Sequence, residues 1–508
     1  MTGPLSGVTV AVIGAGTMGA GIAQVAAANG HPVLLHDTSP EVVAEALTHL
    51  RRRLEGSVGR GRLDAAEAES IRHRITVAAS LDDLAPAGLL IEAIVERLDV
   101  KRGLFAALEA LVAPDAILAT NTSSLSVTAI AAGLEHPERV AGMHFFNPAP
   151  VMPLVEVVSG DATGEAVVAV VAATATAWGK TPVRCSSTPG FIVNRVARPF
   201  YGEALRLLGE GAADVATIDA VVTGAGGFRM GPFALMDLVG LDVNLAVSTS
   251  VFEQTYGDTR FAPNLIQRGL VDAGRLGRKT GRGFYRYGEG AVSMEPAKLD
   301  ASGRVADVVV VGDAGHAAGL VDRVEACGVA VTRRPSDEGP GRLLVGDAVV
   351  VPTDGSTATE LAARLACTEV AVLDLVGDAA TATRVAVADA DQALRRPGER
   401  FAAVAARAGI AVSPVGDTPG LVLMRIVAQL ASVAADAVTF GVAGAADVDT
   451  AMRLGTGYPQ GPLAWADSIG VGTVVGVLDR LRAFYGEDRY RVASRLRRAT
   501  LPASGATP

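Results

Sequence analysis

A glycine-rich turn near the N-terminus constrains the fold of this chain more than any other feature. Gly14, Gly16 and Gly19 form a G-x-G-x-x-G pattern directly after Val8–Ile13, a β-branched run that predicts a buried strand. The residues after Gly19 have a helix-forming composition, and Gly30 predicts the end of that helix. Such a turn lets the backbone approach a pyrophosphate, which binds the free N–H groups at the helix N-terminus.

The segment after the predicted helix supports a dinucleotide site. The sequence HPVLLHD predicts a second strand, and it ends in Asp37. A carboxylate about 20 residues after such a turn binds the ribose hydroxyls. The residues after Asp37 are Thr-Ser-Pro, with no nearby arginine for a 2′-phosphate, so NAD is favoured over NADP. Thr17 and Met18 lie between the last two glycines and are predicted to line the same site.

Composition excludes several classes of protein. At 508 residues and 49% hydrophobic, the chain is long enough for three or four domains. No run of about twenty apolar residues predicts a membrane span, and a strand that begins near residue 8 leaves no room for a signal peptide. Three scattered cysteines predict free thiols and a cytoplasmic location. The net charge of −9 argues against nucleic-acid binding. The seven histidines lack metal-ligand spacing, so no metal site is predicted.

The pattern of elements predicts four domains. Strands alternate with helical stretches from residue 8 to about 185, which predicts a doubly wound α/β sheet. Long apolar helices then follow at 190–210, 214–224 and 233–255, and strand-like runs return after a linker near residue 290. Four domains are predicted from these elements: a dinucleotide-binding sheet domain at 1–187, an all-α domain at 188–290, a second sheet domain at 300–412 and a second helical domain at 413–500.

An internal repeat explains the second half of this pattern. TPGFIVNRVARPF at 188–200 matches TPGLVLMRIVAQL at 418–430, and GPFALMDLVGLD at 231–242 matches GPLAWADSIGVG at 461–472. Both matches have the same offset along the chain, which indicates a duplication. The second sheet is therefore predicted to be a shrunken copy of the first.

The predicted second copy lacks the chemistry of the first. Its glycine turn reads VVGDAGHAAG, without the G-x-G-x-x-G spacing, and its second strand ends in Arg333 and Arg334 instead of an acid. Met424 stands where the first copy has Asn194, and His144 falls on Asp374 at the same offset. We expect this half to be structural.

Polar residues interrupt the apolar strands of the first half. Strands buried on both faces should be almost wholly apolar, yet Glu156 lies in MPLVEVVSG and His144 in AGMHFFNP. A buried carboxylate needs a partner, and a carboxylate that supports an imidazolium makes the imidazole a better proton acceptor. Each residue alone could equally be a satisfied core residue. Ser123, in ATNTSSLSV at a predicted strand end, is either a site residue or part of a helix N-cap. Asn194, on an apolar helix start, either faces the site or bonds to a backbone carbonyl.

These motifs together resemble the 3-hydroxyacyl-CoA dehydrogenases over residues 5 to 290. The resemblance rests on the glycine turn, EAIVE, TNTSSLS, HFFNPAPVMPLVEVV, TPGFIVNR and GRKTGRGFY, in the same order and spacing. It implies a Rossmann-type sheet domain and an all-α dehydrogenase domain, here followed by a degenerate repeat of both. Longer bacterial members of this family, including those acting on hydroxyadipyl-CoA in phenylacetate breakdown, are similar in this respect.

The resemblance also implies roles for individual residues. His144 would be the general base, Glu156 would support it, and Ser123 and Asn194 would hydrogen-bond the substrate oxygens. Four further positions would line the NAD site: Glu96, Lys101, Asn147 and Lys279. The implied reaction converts an L-3-hydroxyacyl-CoA to a 3-oxoacyl-CoA and needs no metal.

Several alternatives remain open at this point. A related hydroxy-acid dehydrogenase, of the gulonate or carnitine type, would share much of the motif set. A scaffold subunit loaded with NAD would need the turn but not the polar residues. The repeat predicts either a monomer with an internal pseudo-dimer or a homo-oligomer.

Overall fold

The computed structural model describes residues 3–336 and 339–501. They divide into two compact units. The first holds the chain up to Asn194 together with Phe440–Thr456, and the second holds Arg195–Thr439 and the chain from Gly457 onward.

The first unit is built on an eight-stranded sheet in which β6 and β7 pair antiparallel and all other neighbours pair in parallel. The strand order is β3-β2-β1-β4-β5-β6-β7-β8. The strands are β1 (Val10–Ile13), β2 (Val33–His36), β3 (Ile75–Val77), β4 (Leu89–Glu92), β5 (Ile117–Thr120), β6 (Val140–Phe145), β7 (Leu154–Ser159) and β8 (Thr181–Ser186). The helices between them are α1 (Thr17–Ala28), α2 (Pro40–Gly59), α3 (Ala65–His73), α4 (Leu98–Leu111), α5 (Val127–Ala131) and α6 (Glu165–Ala177).

This topology confirms the Rossmann-type domain. The chain order reverses between β1 and β4, so the loops after these two strands diverge and leave a crevice at their carboxyl ends. The central strands are apolar along their whole length because helices cover both faces. Val10, Val12, Leu89 and Ile91, for example, are each at most 1% exposed.

The rest of the described chain is mostly helical and contains a second sheet. Its helices are α7 (Val193–Val196), α8 (Arg198–Gly209), α9 (Val215–Gly226), α10 (Pro232–Val239), α11 (Leu241–Gln254), α12 (Leu265–Asp272), α13 (Ala318–Ala326), α14 (Ala358–Leu365), α15 (Pro397–Ala405), α16 (Leu423–Thr439), α17 (Ala445–Thr456), α18 (Pro462–Ile469), α19 (Val471–Tyr485) and α20 (Ser494–Ala499). The strands are β9 (Val308–Val311), β10 (Val331–Arg334), β11 (Arg342–Val345), β12 (Ala348–Pro352), β13 (Val370–Leu373), β14 (Arg384–Asp389) and β15 (Ala411–Pro414).

Two of the predicted helices are broken, so the prediction of continuous helices was wrong there. The stretch 190–210 divides into α7 and α8 at Ala197, because Pro199 lies in the first turn of α8, where a missing N–H costs least. The stretch 233–255 divides into α10 and α11 at Gly240, whose φ of 103° favours glycine. The two helices form an angle of 100°.

This bent pair is relevant to whether the described residues contain a membrane-spanning helix. Among the described residues, no single helix has the length and apolar character needed to cross a bilayer. The helices α10 and α11 reach the required length and composition only when they are taken together.

The second sheet has the order β10-β9-β11-β12-β13-β14-β15. It differs from the first sheet in the direction of one strand. In the first sheet β1 pairs in parallel with β4, whereas in the second sheet β11 lies antiparallel to both of its neighbours, β9 and β12. The chain before β11 packs onto the turn that follows β9: a Cβ on Gly341 would lie 1.5 Å from the carbonyl oxygen of Asp313. The backbone at Gly341 is therefore in close contact with the turn after β9.

Helices from the two helical segments pack on different sheets. In the first unit, α17 packs against β7 and β8, and the N–H of Ser186 donates to the carbonyl of Val442 at 2.8 Å. In the second unit, α9 packs against β14, and the N–H of Thr383 donates to the carbonyl of Gly224 at 3.0 Å. Each sheet is thus contacted by a helix from the helical segment that does not directly follow it in the chain.

Corresponding positions of the two TPG segments share unusual backbone conformations. Gly190 and Gly420 have φ of 75° and 72°, and the residues that follow them, Phe191 and Leu421, have φ of 46° and 50°. Positive φ is uncommon for a bulky side chain. The TPG segments therefore form the same turn in both halves of the chain.

Candidate active site

Two of the three glycines of the turn, Gly14 and Gly19, leave no room for a side chain. A Cβ on Gly14 would lie 2.5 Å from the carbonyl oxygen of Ala93, and a Cβ on Gly19 would lie 1.7 Å from the carbonyl oxygen of Gly14. At Gly16, by contrast, the Cβ direction meets nothing within 4 Å. This open space lies at the start of α1, where a side chain would occupy the place of a bound group.

The start of α1 has the properties of an anion site. Gly16 is the N-cap and has no side chain with which to satisfy the first N–H groups, and Thr17 and Met18 form the first turn. Unsatisfied N–H groups and the helix dipole favour a pyrophosphate at this end. The residues therefore fit the phosphates of a dinucleotide.

Asp37 connects this turn to the neighbouring cleft. One carboxylate oxygen of Asp37 accepts the N–H of Ala15 at 2.8 Å, and the other accepts the N–H of Ser39 at 3.0 Å. Asp37 also lines a cavity of about 480 Å³ whose wall includes Gly14, Gly16 and the apolar side chains of Ile13, Val42, Ile94, Val95, Val100 and Leu104. A polar acceptor at one end of an apolar cleft fits an adenosine.

His144 and Glu156 lie opposite each other on the antiparallel pair β6 and β7. The Nδ1 atom of His144 is 2.7 Å from a carboxylate oxygen of Glu156, and both side chains are buried. The second oxygen of Glu156 accepts the N–H groups of Ile192 and Val193 at 3.1 and 2.9 Å. Glu156 therefore holds the imidazole with one oxygen and the start of α7 with the other.

This pairing sets the protonation pattern of the imidazole. A carboxylate accepts hydrogen bonds, so Nδ1 carries the proton and Nε2 keeps its lone pair. The rings of Phe146 and Phe191 lie against the imidazole, with centroids 4.6 and 5.9 Å away. The arrangement supplies a base with a fixed orientation.

Ser123 and Asn194 are brought together in the same unit. The turn with positive φ at Phe191 leads into α7, and the side-chain amide of Asn194 donates to the carbonyl oxygen of Ser123 at 3.3 Å. The N–H of Ser123 donates to Glu96 at 3.0 Å. Residues from three parts of the sequence thus meet at the carboxyl ends of the strands.

Glu96 and Lys101 form part of a charged cluster that includes an unpredicted residue, Glu92. Lys101 is 1% exposed, and its ammonium contacts Glu92 at 2.6 Å and Glu96 at 3.1 Å. Glu92 ends the apolar strand β4 and is fully buried. Like Glu156, Glu92 is a lone charge in an apolar buried strand, and this signal is visible in the sequence.

The two remaining predicted cofactor residues have different surroundings. Asn147 is exposed in the loop after β6. Lys279 lies in the second unit, where its ammonium pairs with Asp242 at 2.6 Å. Their contact with NAD stays a prediction.

The second sheet also has a fully buried carboxylate, that of Asp374. Asp374 follows β13, and its N–H donates to the carbonyl of Ala386 on β14. Ala386 lies 230 residues after Glu156, the offset that separates the two TPG segments. The carboxylate of Asp374 accepts the N–H groups of Val422 and Leu423 at 3.1 and 2.7 Å, the contacts that Glu156 makes in the first unit.

Clusters of potential metal ligands are absent from residues 3–336 and 339–501: no group of three or more His, Cys, Asp or Glu side chains converges there in a way that could hold an ion.

Sequence profiles of known families cover most of the chain. The family described as "3-hydroxyacyl-CoA dehydrogenase, NAD binding domain" matches residues 9–188. The family described as "3-hydroxyacyl-CoA dehydrogenase, C-terminal domain" matches twice, at residues 190–287 and 420–502. The "3-hydroxybutyryl-CoA dehydrogenase reduced Rossmann-fold domain" matches residues 350–419.

Whole-chain relatives agree with these profiles. A 3-hydroxyadipyl-CoA dehydrogenase from Escherichia coli (strain K12) is 45% identical over 500 residues, which cover 98% of each chain. The chain belongs to the 3-hydroxyacyl-CoA dehydrogenase family. The crystal structure of a 3-hydroxybutyryl-CoA dehydrogenase from Escherichia coli K12 superposes with a TM-score of 0.88 at 43% identity, over 97% of this chain and 98% of that chain.

Shorter family members match the first half alone. A probable 3-hydroxybutyryl-CoA dehydrogenase from Bacillus subtilis (strain 168) is 42% identical over 280 residues, which are 55% of this chain and 97% of the relative. The family is a family of oxidoreductases, and the matching NAD-binding domain confirms NAD as the cofactor. The glycine turn described above fits that assignment.

Proposed function

We propose that this dehydrogenase interconverts L-3-hydroxyacyl-CoA and 3-oxoacyl-CoA, with His144 as the general base. The observation that carries the proposal is the buried 2.7 Å contact between Nδ1 of His144 and Glu156. It leaves Nε2 as a proton acceptor of fixed direction. NAD, when bound, accepts the hydride that leaves C3.

The remaining steps belong to side chains of this protein. In the direction of oxidation, Nε2 of His144 takes the proton of the 3-hydroxyl, and the carboxylate of Glu156 stabilises the imidazolium that forms. The Ser123 hydroxyl and the Asn194 amide donate to the substrate oxygens and hold C3 in place. In the reverse direction, the imidazolium returns the proton to the developing alkoxide.

We further propose that the substrates include CoA thioesters of dicarboxylic acids, in the degradation of fatty acids or of aromatic acids such as phenylacetate. The name of the full-length relative, a 3-hydroxyadipyl-CoA dehydrogenase, supports this proposal. A cytoplasmic location is proposed on the basis of three free cysteines within the described residues.

We also propose that the second half is a degenerate copy that makes an internal pseudo-dimer. Support comes from the two matches of one helical-domain family and from the shared turn at Gly190 and Gly420. It also comes from the reciprocal packing of α17 on β7 and α9 on β14. In such a pseudo-dimer the second half takes the place that a second chain has in a homodimer. It therefore needs no glycine turn for a cofactor of its own.

A substrate panel tests the proposed reaction. Purified protein is given NAD with 3-hydroxybutyryl-CoA or 3-hydroxyadipyl-CoA, and NADH formation is followed by absorbance. We expect turnover of both and a higher kcat/KM for the dicarboxylic thioester. Gulonate and carnitine serve as controls for the related hydroxy-acid enzymes. Turnover of these acids without turnover of either thioester would overturn the proposal.

A further inference from the structure

A buried lysine holds the loop between β6 and β7, the two strands that carry the proposed base and its supporting carboxylate. This loop, residues 146–153, runs from the end of β6 to the start of β7. Lys180 is 8% exposed, and its ammonium donates to the carbonyl oxygen of Ala149 at 2.7 Å and to that of Met152 at 2.9 Å. Both acceptors are backbone atoms, so the contact fixes the path of the loop itself.

The composition of the 146–153 loop leaves it short of donors of its own. It contains Pro148, Pro150 and Pro153, and proline has no N–H to donate. The N–H groups of Val151 and Met152 both donate to the carbonyl of Pro148, at 2.9 and 3.0 Å. Buried carbonyl oxygens elsewhere in the loop need donors from outside it, and the ammonium supplies two.

The surroundings of Lys180 are unfavourable for a cation. Burial lowers the pKa of Lys180, and no charged group in the described part of the chain opposes that effect. A buried charge whose partners are neutral is costly, and ionisable groups perturbed in this way are frequent at functional sites. The chain has four lysines, and two of the others, Lys101 and Lys279, are already predicted to line the NAD site.

The same loop also packs on α1, the helix that follows the glycine turn. A Cβ on Gly21 of α1 would lie 3.2 Å from the Cβ of Ala149 and 3.3 Å from the Cδ of Pro150. At the start of the loop, the N–H of Phe145 donates to the side chain of Asn121 at 2.8 Å. The loop therefore contacts the helix whose N-terminus fits the phosphates of a dinucleotide.

Lys180 acts from a fixed position. Its own N–H donates to the carbonyl of Ala175, near the end of α6, at 3.0 Å, and the N–H of Thr181 donates to the carbonyl of Pro153 at 2.7 Å. Thr181 begins β8, which pairs with β7 along its whole length. The ammonium is thus anchored between α6 and the sheet.

We infer that Lys180 is a positioning residue that holds the 146–153 loop at the nicotinamide end of the cofactor. In the proposed reaction, C3 of the substrate lies next to Nε2 of His144, so the nicotinamide that accepts the hydride lies there too. Asn147 is three residues after His144, is exposed in this loop and is predicted to line the NAD site. Lys180 acts on the reaction through this loop. The inference rests on the proposed function.

A double-mutant cycle between Lys180 and Asn147 tests the inference. Lys180→Met removes both hydrogen bonds to the loop and should lower kcat with acetoacetyl-CoA about 30-fold, because misplacement by about 1 Å can cost on the order of 10²-fold. The KM for acetoacetyl-CoA should stay within about threefold of wild type. In a chain that already carries Asn147→Ala, Lys180→Met should cost less than about threefold more. A further loss near 30-fold in that chain would overturn the inference.

The affinities for NADH and ADP-ribose provide a second readout, since ADP-ribose lacks the nicotinamide. Lys180→Met should raise the Kd for NADH about fivefold and leave the Kd for ADP-ribose within about twofold. The reason is that the cleft at Asp37, which fits the adenosine, is lined by residues outside the 146–153 loop. A general loss of structure would weaken both ligands. An equal rise in the two Kd values would therefore overturn the inference.

Arg139 provides a matched control at the other end of β6. It is 5% exposed, and its guanidinium donates to the carbonyl oxygens of Ala113 and Glu109 at 2.9 and 3.1 Å. Arg139→Met should lower the midpoint of urea unfolding but leave kcat and both Kd values within about twofold. A loss of kcat as large as that of Lys180→Met would show a general need for buried cations and would overturn the specific role of Lys180.

Lys180→Gln replaces Lys180→Met in these experiments if the latter does not yield folded protein, since its amide keeps a neutral donor. Coupling to Asn147 together with a selective rise in the Kd for NADH supports the inference, and independent losses overturn it. A wild-type protein that does not reduce acetoacetyl-CoA would refute the proposed function, whereas the two affinities would still decide the inference.

Discussion

Asp374 provides a quantitative test of the structural role of the second half. Its side chain is fully buried and accepts four backbone N–H groups, those of Leu375 (2.7 Å), Val422 (3.1 Å), Leu423 (2.7 Å) and Met424 (3.0 Å). Asp374→Ala would leave all four donors without this acceptor. We expect a large loss of stability and no loss of activity per folded molecule.

The magnitude follows from the four donors. Each buried N–H that loses its acceptor costs about 1–3 kcal/mol. Water that enters the space left by the carboxylate recovers part of this cost, so we expect a loss of about 4 kcal/mol in the free energy of unfolding. Asp374→Asn keeps one acceptor oxygen and should cost about half as much.

The same residue predicts a pH dependence of stability. Burial raises the pKa of Asp374 to about 6, against the lowering effect of hydrogen bonds from Leu423 and Met424. The ordinary value is 3.8, so the folded chain binds this proton more tightly than the unfolded chain. Stability should therefore fall as the pH rises from about 4 to 6, by about 3 kcal/mol. The free energy of unfolding of Asp374→Ala should not show this fall between about pH 4 and 6.

Urea unfolding of the full chain at several pH values measures the stability, and NADH oxidation with acetoacetyl-CoA measures activity. The expected result is a lower unfolding midpoint for Asp374→Ala with kcat within twofold of wild type. Unchanged stability together with lost activity would refute the structural role of Asp374.

Three further variants test the site itself. Gly19→Ala places a Cβ 1.7 Å from the carbonyl oxygen of Gly14 and should abolish NADH binding; titration with a Kd within threefold of wild type would show that the turn does not hold the phosphates. Asp37→Ala removes the predicted ribose acceptor and the bond to Ala15, so the Kd for NADH should rise about tenfold. An equal rise for NADPH would argue against a ribose contact. Glu156→Gln keeps an acceptor for α7 but turns an amide toward His144, and kcat should fall about 10³-fold with folding retained by circular dichroism. An unchanged kcat would exclude the supporting role of Glu156.

Local patterns were sufficient to predict the Rossmann-type domain and to single out its unusual residues. The glycine spacing, the strand before it and Asp37 after it all reflect short-range geometry, and the structure brings them together at the carboxyl ends of β1 and β2. The same holds for His144 and Glu156, since a charge in a doubly buried strand needs a partner. Their roles in catalysis stay predictions until kinetic measurements are made.

Other features depend on contacts that no local pattern contains. The direct opposition of His144 and Glu156 follows from the antiparallel register of β6 and β7, which the sequence did not indicate. The packing of α17 against β7 joins segments from different halves of the chain. The enclosure of Lys101 was missed because its resemblance to a cofactor-lining position says nothing about the two carboxylates that surround it.

The most direct test of the central claim is the oxidation of NADH by purified protein with acetoacetyl-CoA, with His144→Ala measured beside the wild type. We expect rapid turnover by the wild type and a loss of about 10³-fold or more in kcat for the variant, with an NADH Kd that changes little. Wild-type turnover by His144→Ala would contradict the role of His144 as the base, and a wild-type protein that binds NADH and reduces no 3-oxoacyl-CoA would contradict the proposed reaction.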